Sequence, residues 1–165
     1  MSFQNKNNYT LYIKLDDNMS DNIKNYYIQL GMNSLTTEDS GVDMVVPSNH
    51  VFNTIGVHSI DHMISCMMID NRTGFTSGYY MYPRSSIYKY PFMLTHSVGI
   101  IDSGYRGHIT AKIRCFEPDI KIESGIRLFQ ICAPDLSPID IKILNSNDIL
   151  PVSQRGNNGF GSSGN

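Results

Sequence analysis

The chain has 165 residues, of which 41% are hydrophobic and 17% charged, and its formal net charge is −2. That length and balance fit one domain with a real core and exclude a disordered chain. The near-neutral charge excludes bulk attraction to nucleic acid or an anionic membrane, and no apolar run approaches the roughly 20 residues of a membrane span.

The opening residues, MSFQNKNNYT, have no apolar signal-peptide core. "YTLYIKL" (Tyr9–Leu15) alternates in side-chain character as a half-buried strand does. "SDNIKNYYIQLG" is the one predicted helix, with Ser20 placed to cap it and Gly31 to end it. "VDMVVP" reads as a strand ended by Pro47. "HMISCMMI" (His62–Ile69) reads as an apolar strand ended by the turn cluster "DNRTG". "GHITAKIRCF" (Gly107–Phe116) alternates again. "DIKIESGIRLFQICAP" does so too, with a break at Ser124-Gly125 that predicts a hairpin. "PIDIKIL" (Pro138–Leu144) is the last strand. Short strands with regular turn signals predict an all-β sandwich or barrel of jelly-roll type over residues 1–150. Residues 151–165 turn polar and glycine-rich and read as a mobile arm. Cys66, Cys115 and Cys132, odd in number and set among apolar residues, read as buried free thiols of a reducing compartment, hence a cytoplasmic protein. Richness in Asn and Ile hints at an AT-rich genome of viral kind, which would place the protein inside a host cell.

Several short stretches combine groups that carry chemistry. In "PRSSIYKY", Arg84 is followed by the hydroxyls of Ser85 and Ser86. That set suits a phosphate, and it also suits a turn with a solvated arginine. In "GIIDSGYRGHI", two apolar residues deliver Asp102 into a turn beside Tyr105 and Arg106. The carboxylate is placed for a general base or for an Asx-turn. Asp43 in "SGVDM" is a candidate to hold a metal-bound water or to fix a turn. Arg127 and Gln130 read as functional polar groups or as an ion pair and an exposed amide. His58 and His62 have the spacing of zinc ligands on a helix, but the stretch reads as a strand, which argues against a metal there. Neither a P-loop nor a dinucleotide fingerprint is present. The terminal "RGNNGFGSSG" supplies glycine N–H groups for phosphate oxygens, Arg155 for charge and Phe160 for a flat stacking face. It reads as a lid over a nucleotide.

These segments, in this order, resemble the five motifs of the trimeric dUTPase family: "SGVDM", "PRSS", "GIIDSGYRG", "GIRLFQ" and "RGNNGFGSSG". The resemblance implies a distorted jelly-roll (β-clip-like) fold and a homotrimer with shared active sites. It implies hydrolysis of dUTP to dUMP and pyrophosphate by water attack on the α-phosphate, which keeps uracil out of DNA and supplies dUMP for dTMP synthesis. Magnesium (Mg2+) would ride on the triphosphate, touched through water by Asp43. Asp102 would activate the attacking water, and Ser85 would stabilise the bridging oxygen. Arg84, Ser86 and Gln130 would hold phosphates. Tyr105 would pack under the deoxyribose, and Gly99, Ile100 and Ile101, with His96 nearby, would read the uracil edge. Arg155, Phe160, Gly161 and Ser162 would close over the γ-phosphate and the base.

The chain departs from the family pattern at Ile126, Phe129, Asn158, Tyr88 and His96, and the stretch from Asp16 to Leu35 is longer than usual. "RSS", "TH" and "GHIT" also resemble the related dCTP deaminases. Those need a glutamate where this chain has Lys112, and a lysine cannot shuttle protons in its place. A non-catalytic regulatory trimer of the same fold is the other alternative.

Overall fold

The structure is a computed structural model that describes residues 7–33 and 38–159. The strands are β1 (Tyr9–Leu15), β2 (Gly41–Val45), β3 (His50–Phe52), β4 (Gly56–Asp70), β5 (Thr76–Ser77), β6 (Tyr79–Pro83), β7 (Phe92–Leu94), β8 (Gly99–Ile101), β9 (His108–Cys115), β10 (Ile120–Ile122), β11 (Arg127–Cys132) and β12 (Ile139–Ile143). One α-helix, α1 (Asp21–Met32), and a 3-10 turn at Ser85–Lys89 complete the set among the described residues. The larger sheet runs β12-β1-β4-β9-β7, with β5 alongside β4. A second runs β2-β11-β6-β8, and β10 pairs with β3 in a small third sheet. All pairings are antiparallel except β1 with β12. This is the all-β architecture expected from the alternation of the sequence. No helix among the described residues is long and apolar enough to cross a membrane.

The core follows from period-two patterning. Leu11 and Ile13 of β1, Ile60, Ile64 and Met68 of β4, and Ile109, Ala111 and Ile113 of β9 point inward and are fully buried. Val42, Met44, Met81, Phe129 and Ile131 do the same from the second sheet. In β11 the neighbours Leu128 and Phe129 are both buried, because the register against β2 shifts between Arg127 and Phe129. A bulge of this kind turns side chains away from strict alternation.

Three sequence expectations are corrected. The break at Ser124-Gly125 is not a hairpin, since β10 pairs with β3 while β11 pairs with β2 and β6. The chain crosses between sheets there, with Gly125 at φ +87°. Gly31 does not end the helix; α1 continues to Met32 and its C-cap is Asn33. Glycine is needed at 31 because a Cβ would come within 2.9 Å of the Ile143 Cγ1 atom, and its absence lets α1 press against β12. Ser20 occupies the N-cap position without a side-chain cap hydrogen bond. The three cysteines are free and buried, as their surroundings indicated.

His62 lies on β4 and is completely buried between the sheets. Its ring meets Phe129 edge-on, and Nδ1 lies 2.9 Å from the Val45 carbonyl of β2. A carbonyl only accepts, so the proton sits on Nδ1, and Nε2 is left without a partner among the described residues. Burial holds its pKa down at about 4. The folded pKa lies below the unfolded one of about 6.5, so the unfolded chain binds the extra proton between these values. Stability contributed by the neutral ring is therefore full above pH 6.5 and falls as pH drops toward 4. The loss is on the order of 3 kcal/mol over that window. A melting-temperature profile from pH 7 to 4 should show this fall, and His62→Gln should flatten it.

Candidate active site

Two clusters of functional side chains form, at opposite ends of β6. The first is a cleft of about 430 Å³ lined by His96, Gly99, Ile100, Ile101, Asp102, Tyr105 and Arg155, together with Met81, Val98, His108, Thr110 and Gly159. β8 pairs with β6 through Gly99↔Met81, Ile100↔Tyr80 and Ile101↔Tyr79. The strand ends at Ile101 and releases Asp102 into the turn Asp102–Tyr105, closed by the Tyr105 N–H donating to the Asp102 carbonyl at 3.0 Å. The Asp102 side chain does not bond its own turn. Its Oδ2 meets Arg155 Nη1 at 2.6 Å. Both side chains remain partly exposed, at 47% and 38%, so the pair can open to solvent and exchange partners.

Residues 151–159 lie along this turn rather than standing free. The Ser153 hydroxyl donates to the Gly104 carbonyl. Gly156 bridges to Tyr105, and its carbonyl accepts from the Arg106 N–H at 2.8 Å. Arg106 clamps the same corner, with its guanidinium on the carbonyls of Pro151, Ser103 and Tyr105. It is a structural tie between arm and turn. Phe160, Gly161 and Ser162 lie outside the described residues. Tyr105 donates its hydroxyl to the His108 carbonyl at 3.0 Å, and burial raises its pKa, so the phenol is neutral. His108 sits between two carboxylates, with Nε2 3.2 Å from Asp16 and Nδ1 3.0 Å from Asp61. Sequence reasoning passed over His108, although a histidine directly after the "YRG" turn was the available signal.

The second cluster sits beyond the other end of β6. Asp43 stands in β2, not in a turn. Its Oδ1 meets Arg84 Nε at 2.7 Å and its Oδ2 meets Arg127 Nη1 at 3.0 Å. Two guanidinium groups on one carboxylate leave a net positive charge facing partly exposed space, a setting for an anion. Arg84 is thus held rather than freely solvated, and Arg127 is the ion-pair member its neighbourhood suggested. Ser85 and Ser86 open the 3-10 turn that follows Arg84. Gln130 Nε2 approaches the Pro83 carbonyl at 3.4 Å, and its amide lies over Gly41, where a Cβ would overlap it. Among the described residues no three His, Cys, Asp or Glu side chains converge as metal ligands. His58 and His62, both on β4, do not form a site. His62 is engaged with Val45, and His58 Nε2 lies 2.8 Å from the Thr54 carbonyl.

The two clusters are far apart within one chain. Asp102 lies just past the Tyr79 end of β6, and Arg84 follows Pro83 at the other end. Six residues at about 3.3 Å each separate them by roughly 20 Å.

The dUTPase family model matches residues 31–164. Among curated proteins, a deoxyuridine 5'-triphosphate nucleotidohydrolase of Corynebacterium jeikeium is 32% identical over 87 residues, 51% of this chain and 56% of that protein. One from Escherichia phage T5 is 38% identical over 84 residues, 50% of this chain and 55% of that protein. The chain thus spans about half the length of the curated relatives it matches. Among solved structures, a dUTPase from Streptococcus mutans superposes with TM-score 0.53 at 19% identity, covering 73% of this chain and 91% of that one. A mutant dUTPase of Staphylococcus bacteriophage 80alpha with dUpNHpp gives TM-score 0.53 at 21% identity, covering 94% and 98%. At these identities the structural likeness speaks for the fold, and the family match over most of the sequence speaks for descent: the chain belongs to the dUTPase family.

Proposed function

We propose that the protein is a dUTP diphosphatase, hydrolysing dUTP to dUMP and pyrophosphate, in line with the activity named for the curated relatives. The observation that carries the reading is the Asp102–Arg155 pair at the mouth of a cleft walled by the Gly99–Ile101 strand. That arrangement brings together a carboxylate able to take a proton, a cation paired to it and a strand edge able to read a base.

Uracil enters beside β8, where main-chain donors and acceptors favour it over cytosine, because the wrong exocyclic group leaves buried polar groups unpaired. Tyr105 packs under the sugar. The phosphates engage Arg84, Ser85, Ser86 and Gln130. Asp102 orients a water on the α-phosphorus and accepts its proton as the new O–P bond forms. The bond from the α-phosphorus to the bridging oxygen then breaks, and Ser85 steadies the charge on the leaving pyrophosphate. Arg155 shifts from Asp102 to the γ-phosphate as the triphosphate arrives, which frees the carboxylate to act as base.

Magnesium fits as an ion carried by the triphosphate. Both Asp43 oxygens hold an arginine, yet a carboxylate has about four lone-pair sites, so two remain for water on a hydrated ion. Asp43 would hold such a hydrated ion through water, and the ion would supply neutralisation of the phosphate charge.

The separation of the clusters favours a shared site in a homotrimer. A water held by Asp102 must come within about 3–3.5 Å of the α-phosphorus. The same phosphates cannot also lie on the Arg84 cluster of that chain, roughly 20 Å away along β6. On this reading a second copy supplies that cluster. The test is pyrophosphate release from dUTP, dCTP, dTTP and UTP with magnesium present. Release from dUTP alone supports the reading, and no release from any of the four overturns it in favour of a regulatory trimer. Release of ammonia from dCTP with dUTP as the other product would favour the deaminase relative, against which Lys112 stands with its ammonium donating to the Ser59 hydroxyl at 2.7 Å.

A further inference from the structure

Strands β4 and β9 fall out of register beside the cleft. Asp61 faces Thr110 and Ser65 faces His108, so β4 takes four steps where β9 takes two. Within this bulge Met63 adopts φ +55°, a left-handed conformation uncommon for a residue with a side chain. Two acidic residues hold the bulge and, with their other groups, one imidazole ring. Asp61 Oδ1 accepts the Met63 N–H at 2.8 Å, while its Oδ2 meets His108 Nδ1 at 3.0 Å. The Asp16 N–H donates to the Met63 carbonyl at 3.0 Å, while its Oδ2 meets His108 Nε2 at 3.2 Å. Ionised carboxylates only accept, so a ring that donates to both is an imidazolium. The His108 carbonyl in turn accepts the Tyr105 hydroxyl at 3.0 Å. Gly107 lies between the two. A Cβ there would come within 2.7 Å of Tyr105 Cζ, so the phenol occupies the space that a side chain at 107 would need.

We propose that the Asp16–His108–Asp61 bridge positions Tyr105 for the sugar: it fixes the start of β9 where regular pairing lapses, and with it the carbonyl that holds the phenol, and so sets how strictly a 2′-hydroxyl is refused. The inference rests on the dUTP reading, because it assigns the face of Tyr105 to a deoxyribose. It also gives the N-terminal segment a part in the site, since Asp16 lies before residue 31, where the family match begins. The lapse in the ladder is what makes the side chains necessary. A bulge leaves its strand pair locally unpaired, and a charge-assisted hydrogen bond at each ring nitrogen supplies the missing support. The main chain of Tyr105 is held separately, by the Arg106 guanidinium on its carbonyl and by the bridge to Gly156. Movement at His108 therefore swings the hydroxyl end of the ring and leaves Asp102 in place. A ring packed under a sugar refuses an added hydroxyl by contact, and that refusal weakens when the ring can give way.

The experiment measures kcat and KM of the full chain for dUTP and UTP with magnesium present, beside calorimetric titration with dUMP and UMP. Asp16→Ala removes the tie at Nε2 and keeps the main-chain bond to Met63. His108→Ala removes both ties, and Asp16→Ala decides if that chain fails to fold. The ratio of kcat/KM for UTP to that for dUTP is expected to rise about threefold in Asp16→Ala and about tenfold in His108→Ala. The change should come through KM, with kcat for dUTP near wild type, and UMP should gain on dUMP in affinity by the same factor. In a Tyr105→Phe background, where the ring has no hydroxyl to anchor, neither substitution should move the ratio further. Tyr27→Phe strips the buried Val45 N–H of its partner, so it should lower the melting temperature and leave the ratio alone. An unchanged ratio in Asp16→Ala and His108→Ala, equal losses for dUTP and UTP, a shift undiminished in the Tyr105→Phe background or an equal shift in Tyr27→Phe would each overturn the proposal. So would a wild type that binds neither monophosphate. A wild type that binds dUMP but does not hydrolyse dUTP would instead overturn the diphosphatase reading, with the dUMP and UMP affinities still deciding this one.

Discussion

Asp102→Asn is expected to lower the turnover of dUTP by about 10²–10⁴-fold, the range that removal of a positioned general base costs. The amide keeps the shape of the carboxylate and loses its basicity, so water can still be placed but its proton has no acceptor. In the proposed mechanism the lost basicity matters only as the O–P bond forms. The fall should therefore sit in kcat, with KM for dUTP near its original value. The fold should survive. Asp102 is half exposed, and the one strong contact it gives up is the pair with Arg155. A partly exposed pair of that kind contributes at most about 1 kcal/mol, which in a chain of this length moves the melting temperature by about 2–4 °C. Steady-state pyrophosphate release, a thermal scan and dUMP titration on the same preparation check all three statements. A mutant that retains its turnover would show that Asp102 serves only to park Arg155, and the base would have to be sought elsewhere in the cleft.

The parts of this picture that the sequence disclosed are those set by local rules. Period-two alternation placed β1, β9 and β12 within a residue or two of their observed ends, because each has one face on the core. The helix at Ser20–Gly31 was legible from its start and stop signals, and only its end was misplaced. Gly31 is there for contact with Ile143, a tertiary reason that a local stop signal imitates. The Ser124-Gly125 break looked like a hairpin because a turn signal cannot say to which sheet the next strand returns. Candidate residues were legible one by one, Arg84 and Asp102 among them. Their grouping was not. The Asp43–Arg84–Arg127 array joins residues more than 80 positions apart through the β2-β11-β6 order, and Tyr26 joins it from a helix that carries no motif at all. The separation of that array from Asp102 is likewise a property of strand order, since β6 holds one cluster at each end.

The same separation yields a test with a large effect. Arg84→Ala should reduce dUTP hydrolysis by at least about 10²-fold, since it removes a charge-assisted phosphate contact and leaves Asp43 with Arg127 alone. Asp102→Asn should be similarly poor for a different reason. If each site draws its Asp102 cluster from one copy and its Arg84 cluster from another, the two defective chains complement each other. Mixed at equal concentration under conditions that let subunits exchange, they should recover roughly a quarter of wild-type activity, the chance that both contributors to a site carry the needed intact residue in a cyclic assembly. Each mutant alone recovers nothing by the same treatment. A site contained in one chain gives the opposite result. Every polypeptide in the mixture then carries one fatal change, and no exchange of partners can rescue it. Recovery of activity, read as pyrophosphate release against time after mixing, would therefore join the two ends of β6 across a subunit boundary. Its absence, with exchange verified by native mass spectrometry, would mean that the arm and the phosphate cluster of a single chain must close on each other across the roughly 20 Å that separates Asp102 from Arg84.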